Sequence, residues 1–269
     1  MNQLINWKYM GVAMIFAGMM TACGGGNSKK HDNHAKFAST IVDKQTGKPV
    51  KNVEISIKLN DKVYKDKTNS KGKYEFFVPV LETEGLDTVV MEIYSNKHKS
   101  SSQTYEGLEA NGTYGLNAGA GIIKHPINVL KCSDMRKAAT LHHLGDDNYE
   151  GSYNSRFQIS TEGISLSLPF NLTSDMVAKY NSIEITFLAK GIERQNKIEL
   201  IDKETNQVLQ LVRTPNSDSS GKFTPYTLVM TNIDSLDAGK YAFKITSIAY
   251  SDGGDRDDFE FLNFYAILK

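Results

Sequence analysis

Val53, Ile55, Ile57 and Leu59 alternate strictly with polar side chains. A period of two lines those four residues along one face of an extended strand. Similar short runs recur along most of the chain, separated by turn signals such as TG at 46–47, ND at 60–61 and NSKG at 69–72. In the first half they predict strands over 37–42, 53–59, 62–68, 73–79, 89–94 and 122–130. In the second half they predict about eight more, over 156–160, 164–168, 182–189, 197–202, 207–212, 226–231, 240–250 and 258–268. The one helix-like segment is TSDMVAKY at 173–180, short, with a Thr or Ser cap. Residues 95–121 carry five glycines and no clear period, and are expected to form a long exposed loop. The fold class that follows is all-β, with two β-sandwich domains.

The first 22 residues differ from the rest. Their one charge is Lys8, and residues 11–20 are apolar over a length that suits a secretory signal but is too short to span a bilayer. The run MTACGGGNS at 20–28 resembles a bacterial lipoprotein signal, departing from the commonest pattern at Met20 and Thr21. That resemblance implies a signal peptide over 1–22, cleavage before Cys23, and lipidation of Cys23 with palmitate-like acyl chains. It also implies a lipidated flexible tether over 23–36 and an outer-membrane address rather than an inner one, because Gly24 follows the cysteine. One acyl chain binds a membrane only marginally, so stable anchoring takes several. The competing reading is an ordinary secreted protein with an incidental cysteine. Cys132, the second of two cysteines, is then a lone thiol packed as a small apolar side chain. His31 and His34 sit in the tether, where spacing alone does not make a metal site.

Two runs in the first half carry a family resemblance. VDKQTGKPVKNV at 42–53, followed by TNSKGKYEF at 68–76, is similar to the carboxypeptidase-regulatory-like, or transthyretin-like, domain. The resemblance covers residues 37–130 and implies a prealbumin-like sandwich serving as a spacer or interaction module, with no catalytic residues. Residues 131–269 resemble the jelly-roll carbohydrate-binding modules of bacterial surface proteins. The phrases that carry this are IEITF at 183–187 with Lys190 and Gly191, DAGKYAF at 237–243, and DDFEF at 257–261.

The densest set of functional side chains is LHHLGDDNYEGSYNSRFQ at 141–158, at the entry to the second domain. A second acidic run, DGGDRDD at 252–258, precedes its last strand. First and last strands of a sandwich often lie together, so the runs are expected to meet. Hard cations take six to eight oxygens from carboxylates, amides and carbonyls. Asp146, Asp147, Asp257 and Asp258 are therefore candidate ligands for a structural calcium, with Asn148, Glu150 and Asp255 nearby. The competing reading is solvated turn acids. His142 and His143 are adjacent, so on a strand they face opposite sides, and neither an HExxH nor a CxxC motif accompanies them to make a zinc site. The only Trp, Trp7, falls in the signal segment. A sugar site would then use Tyr149, Tyr153, Tyr226 or Tyr250 as its platform, with His142, His143, Asn154 and Arg156 as polar partners.

With 31 basic and 31 acidic residues the formal net charge is zero, which argues against a nucleic-acid partner. No glycine loop opens a helix, so a nucleotide is not expected, and no GxSxG elbow accompanies the scattered Ser, His and Asp. The expectation is a non-catalytic cell-envelope lipoprotein that binds a glycan or an envelope protein. The alternative is a structural or assembly lipoprotein acting through protein contacts alone.

Overall fold

The first seven strands are β1 (His34–Thr40), β2 (Glu54–Leu59), β3 (Lys62–Lys67), β4 (Lys73–Pro79), β5 (Val89–Ser95), β6 (His98–Tyr105) and β7 (Thr113–Tyr114). They form two sheets in a computed structural model, ordered β4-β1-β7 and β3-β2-β5-β6. The structure describes residues 32–59, 62–86, 88–116, 121–145, 165–190, 192, 196–215, 222–247 and 259–269. Phe37, Ile55, Ile57, Phe76, Met91 and Ile93 fill the space between the two sheets. The TGKP turn and the NSKG turn are clasped together beside this core. The Thr68 hydroxyl accepts from Val53 N at 2.9 Å and donates to the Val50 carbonyl at 2.7 Å. The carboxylate of Asp43 accepts from the amides of Gln45 and Thr46. Gly72 has φ +71°, and a Cβ there would meet the Ile41 carbonyl oxygen at 2.6 Å, so the turn requires glycine.

The remaining elements are β8 (Val129–Leu130), α1 (Met135–Ala139), β9 (His142–Leu144), β10 (Ser165–Leu172), α2 (Ser174–Lys179), β11 (Ser182–Lys190), β12 (Lys197–Asp202), β13 (Val208–Arg213), β14 (Thr224–Thr231), β15 (Gly239–Thr246) and β16 (Phe259–Leu268). One sheet runs β10-β15-β12-β13; the other runs β14-β11-β16-β8, with β9 also on β16. Alternating residues of both sheets, among them Leu168, Phe170, Ile185, Phe187, Phe243 and Phe264, make the second core. The chain is therefore an all-β protein of two stacked sandwiches.

Four local expectations give way to what pairing dictates. β1 begins at His34, three residues before the apolar pattern starts, because its backbone pairs with β4 as far as Pro79. Residues 98–105 form a strand, not a loop. Their small polar side chains lack a period, but pairing with β5 satisfies the backbone. Residues 122–130 do not make one closing strand. Ile122 and Lys124 make single bridges to Asp43 and His98, whereas Val129 and Leu130 pair with β16. β10 continues through Pro169. It is an edge strand, and the Pro169 carbonyl accepts from Ser133 N on the side away from β15, so the missing N–H interrupts no ladder bond.

The outer face of β2 and β5 is covered. Ser56, Val90 and Glu92 are buried although they point away from the first core. Val90 packs on Leu141 and Leu262 of the second sandwich. Arg136 of α1 donates to Glu92 at 3.0 Å, to Ser56 at 2.9 Å and to Glu54 at 3.2 Å. Thr140 and the Leu141 amide also donate to Glu92. A buried carboxylate is tolerated when donors surround it, and removing its cation leaves an uncompensated charge. Arg136→Met is expected to lower unfolding stability by about 3 kcal/mol, at the low end for a buried pair because the arginine is partly exposed. Ser56→Ala should cost about 1 kcal/mol. Urea titration of both variants checks the order.

A second tie crosses the junction. His125 stacks on Tyr265 with ring centroids 5.5 Å apart, and Lys99 lies over the same Tyr265 ring. Burial, then the charge of Lys131 and the neighbouring His98, holds the His125 imidazole down at about 4. The unfolded chain takes up this proton near pH 6.5 and the folded one only near 4. Its contribution to stability is complete above pH 6.5 and is lost as pH falls towards 4. Unfolding followed from pH 7 to 4 should show this slope, and His125→Gln should flatten it.

Candidate functional site

Four sheet-to-sheet connections of the second sandwich start and finish at one end, while two others, β10 to β11 through α2 and β14 to β15, lie at the opposite end. β9 leads to β10, β11 to β12, β13 to β14 and β15 to β16, each step passing from one sheet to the other. Registers align the ends concerned. In one sheet Leu144 pairs with Phe259, Lys190 with Glu260, and Ala189 with Thr224; in the other Thr246 pairs with both Ser165 and Lys197, and Lys197 pairs with Arg213. Residues 191–196 are all that separates β11 from β12, so the two aligned rows face each other. Function in sandwiches concentrates where several connections converge on a rigid frame.

A charged row lies at this end. Directly opposed residues in antiparallel strands share a face. His143, Glu260 and Lys190 are consecutive partners across β9, β16 and β11. Lys190 Nζ also lies 5.6 Å from the ring centre of Phe223, just before β14. The row points away from the second core, yet His143 and Glu260 are each 2% exposed and Lys190 is 4% exposed. The Lys190 ammonium and the Glu260 carboxylate form a direct ion pair through Oε2. Glu260 Oε1 accepts no hydrogen bond among the described residues. Beside this row, Asn196 and Thr214 close the bases of two connections. Asn196 N donates to the Thr214 hydroxyl at 2.9 Å, and Thr214 N donates to the Asn196 carbonyl at 3.0 Å.

His142 and His143 separate as strand geometry requires. His142 lies opposite Phe261, its ring centre 5.1 Å from that ring, and its Nε2 donates to the Lys137 carbonyl at 2.6 Å. It is a packed residue. His143 joins the charged row. Of the other sequence candidates, Cys23, Asp146, Asp147, Tyr149, Tyr153, Asn154, Arg156, Tyr250, Asp255, Asp257 and Asp258 lie outside the described residues. Tyr226 stacks on Phe187 at 5.7 Å, against the second core. Cys132 is a free, buried thiol, and burial pushes its pKa up to about 12, so it stays protonated.

Sequence reasoning missed Lys190 and Glu260. The signal was present: Glu260 sits between Phe259 and Phe261 in a strand apolar on both faces, and Lys190 ends the alternating run of β11. An ionisable residue inside such a run needs a partner. Among the described residues no group of three His, Cys, Asp or Glu is placed to hold a metal, and no helix is long and apolar enough to cross a membrane.

No protein-family model matches the chain, and no curated protein does either. Solved structures give distant likenesses. The C-terminal CBM6 of LamC, a marine laminarinase from Zobellia galactanivorans, is 19% identical with a TM-score of 0.25, over 39% of this chain and 72% of that one. The SGBP-B protein of the Bacteroides ovatus mixed-linkage glucan utilization locus, solved with a mixed-linkage heptasaccharide, is 14% identical with a TM-score of 0.21, over 87% of this chain and 48% of that one. A β-porphyranase of glycoside hydrolase family 86 from Bacteroides plebeius is 16% identical with a TM-score of 0.26, over 88% and 33%. This chain thus spans less than half of the second and a third of the last, and scores of this size transfer no ligand or activity.

Proposed function

We propose that this protein is a non-catalytic, lipid-anchored protein of the bacterial cell envelope, and that the connection end of its second sandwich binds a glycan. The observation that carries the reading is the pairing of Leu144 with Phe259. Asp146 follows Leu144 by two residues and Asp258 immediately precedes Phe259, so the two polar runs are rooted on cross-strand neighbours. The buried charged row one residue in from Leu144 and Phe259 supports the reading, because such groups are costly to hold in a fold that needs only packing. In this reading Asp146, Asp147, Asp257 and Asp258 hold a structural calcium that ties the runs together. Tyr149 and Tyr153 offer ring faces to a sugar, and Asn154, Arg156 and His143 offer donors. The first sandwich, β1 to β7, serves as the spacer between the anchor at Cys23 and this end.

Two measurements test the proposal. The unit from His31 onward, freed of the signal segment, is expected to bind oligosaccharides on a glycan array and to lose that binding in Tyr149→Ala and Asn154→Ala. Its thermal midpoint should rise by several degrees with calcium, and the rise should vanish in Asp146→Ala and Asp258→Ala. No glycan bound and no calcium shift would leave a purely structural lipoprotein. Separately, Cys23→Ala in the full chain should move the protein from the membrane fraction to the soluble fraction, followed by immunoblot of the two fractions.

A further inference from the structure

The first sandwich carries a groove of about 720 Å³, within the usual range of small-ligand sites. Its floor is another cross-strand row: Lys67, Glu54 and Tyr94 are consecutive partners across β3, β2 and β5. One wall is the turn that ends in Lys51 and Asn52, with Asn52 at φ +58° and its amide donating to the Thr68 carbonyl. The other wall is the β5–β6 hairpin tip, Asn96 and Lys97. That tip is braced by the Ser95 hydroxyl, which accepts from Lys97 N and lies 3.0 Å from His98 Nδ1. Both walls are therefore fixed by hydrogen bonds before any ligand arrives.

The charge of the groove is one-sided. Lys51, Lys67 and Lys97 line it, are exposed, and make no ion pair among the described residues. Glu54, the only carboxylate among the described lining residues, is already engaged by Arg136 at 3.2 Å and Lys65 at 3.9 Å. Arg136 also covers the Tyr94 ring from the junction, its guanidinium carbon 5.3 Å from the ring centre. Three ammonium groups that make no ion pair among the described residues thus line a groove that also presents one aromatic ring, two side-chain amides and a hydroxyl. Ammonium groups favour anions, while amides, hydroxyls and a ring suit a sugar's hydroxyls and apolar face. An acidic peptide would use the lysines and leave the other groups without a role.

We propose that this groove is a second ligand site, independent of the connection end, and that it takes an oligosaccharide bearing carboxylate or sulfate groups. The experiment uses the unit from His31 onward in calorimetric titrations with four probes. These are oligogalacturonate for carboxylate, a heparin-derived oligosaccharide for sulfate, a neutral laminari-oligosaccharide and polyglutamate. At least one anionic sugar is expected to bind, at least tenfold more tightly than the neutral sugar and polyglutamate, and to weaken as salt is raised. The triple variant Lys51→Ala/Lys67→Ala/Lys97→Ala should lose that binding at least tenfold while keeping its thermal midpoint, since all three side chains are exposed. Tyr149→Ala at the other end should leave it unchanged, which separates this site from the one proposed above. Absence of anionic-sugar binding, equal binding of polyglutamate, or full binding by the triple variant would each overturn the proposal.

Discussion

The Glu92 carboxylate ties the two sandwiches to each other. It sits between two sandwiches, nearly out of water, and takes hydrogen bonds from Arg136, Ser56, Thr140 and the Leu141 amide. An ionised carboxylate in such a place would be ruinous alone, and the donors come from both sides of the junction. The short helix α1 exists to bring them. Asp134 caps it through Lys137 N, and its first turn turns Arg136 onto the outer face of β2 and β5. Leu141 then drops into contact with Val90 and Leu262. Polar specificity and apolar contact are thus interleaved within seven residues.

The same junction explains why β16 is apolar on both sides. One face, through Phe259, Phe261, Phe264 and Ala266, fills the second core. The other meets the first sandwich, through Leu262 against Val90, Asn263 against Ser102 and Tyr265 against His125. A strand between two packed layers reads as a continuous hydrophobic run. A bulge in β16, where three steps from Leu262 to Tyr265 oppose two from Leu188 to Thr186 and Asn263 has φ +55°, switches the core-facing set from Phe259 and Phe261 to Phe264 and Ala266. Leu144 and Phe259, which flank the two acidic runs in sequence, are both buried members of the second core.

Much of this was legible in the sequence. Alternation located β2, β11 and most of the other strands, and the cap at Thr173 located α2, whose Met176 amide it receives. The TGKP and NSKG phrases pointed to Asp43, Thr68 and Gly72, and each has a physical task in the clasp between those turns. What stayed hidden depended on partners far along the chain. Nothing near Ser56 or Glu92 announces that their side of the strand is covered, because the covering residues lie 44 or more positions later. β6 has no apolar period, and β8 is two residues long, so only pairing reveals them. The candidate site was legible in its roots and in the separation of His142 from His143, but not in the Lys190–Glu260 pair, whose members stand 70 residues apart.

Three buried carboxylates among the described residues are compensated in three ways, and the comparison isolates one of them. Asp43 is held by its own turn: burial pushes its pKa up, but the amides of Thr46 and Gln45 and the Thr46 hydroxyl outweigh that and keep it low. Glu92 is held by donors from two sandwiches, on both of its oxygens. Glu260 has Lys190 on one oxygen, while the other accepts nothing among the described residues. Asp43 shapes a turn and Glu92 joins two bodies, so folding accounts for both. Glu260 does neither. A leucine there would extend the face that Leu262 already presents and would spare Lys190 its burial. A fold selected for stability alone would replace such a pair with apolar residues, often at no loss. The row His143, Glu260 and Lys190 lies beside Leu144 and Phe259, the cross-strand neighbours that flank the two acidic runs in sequence.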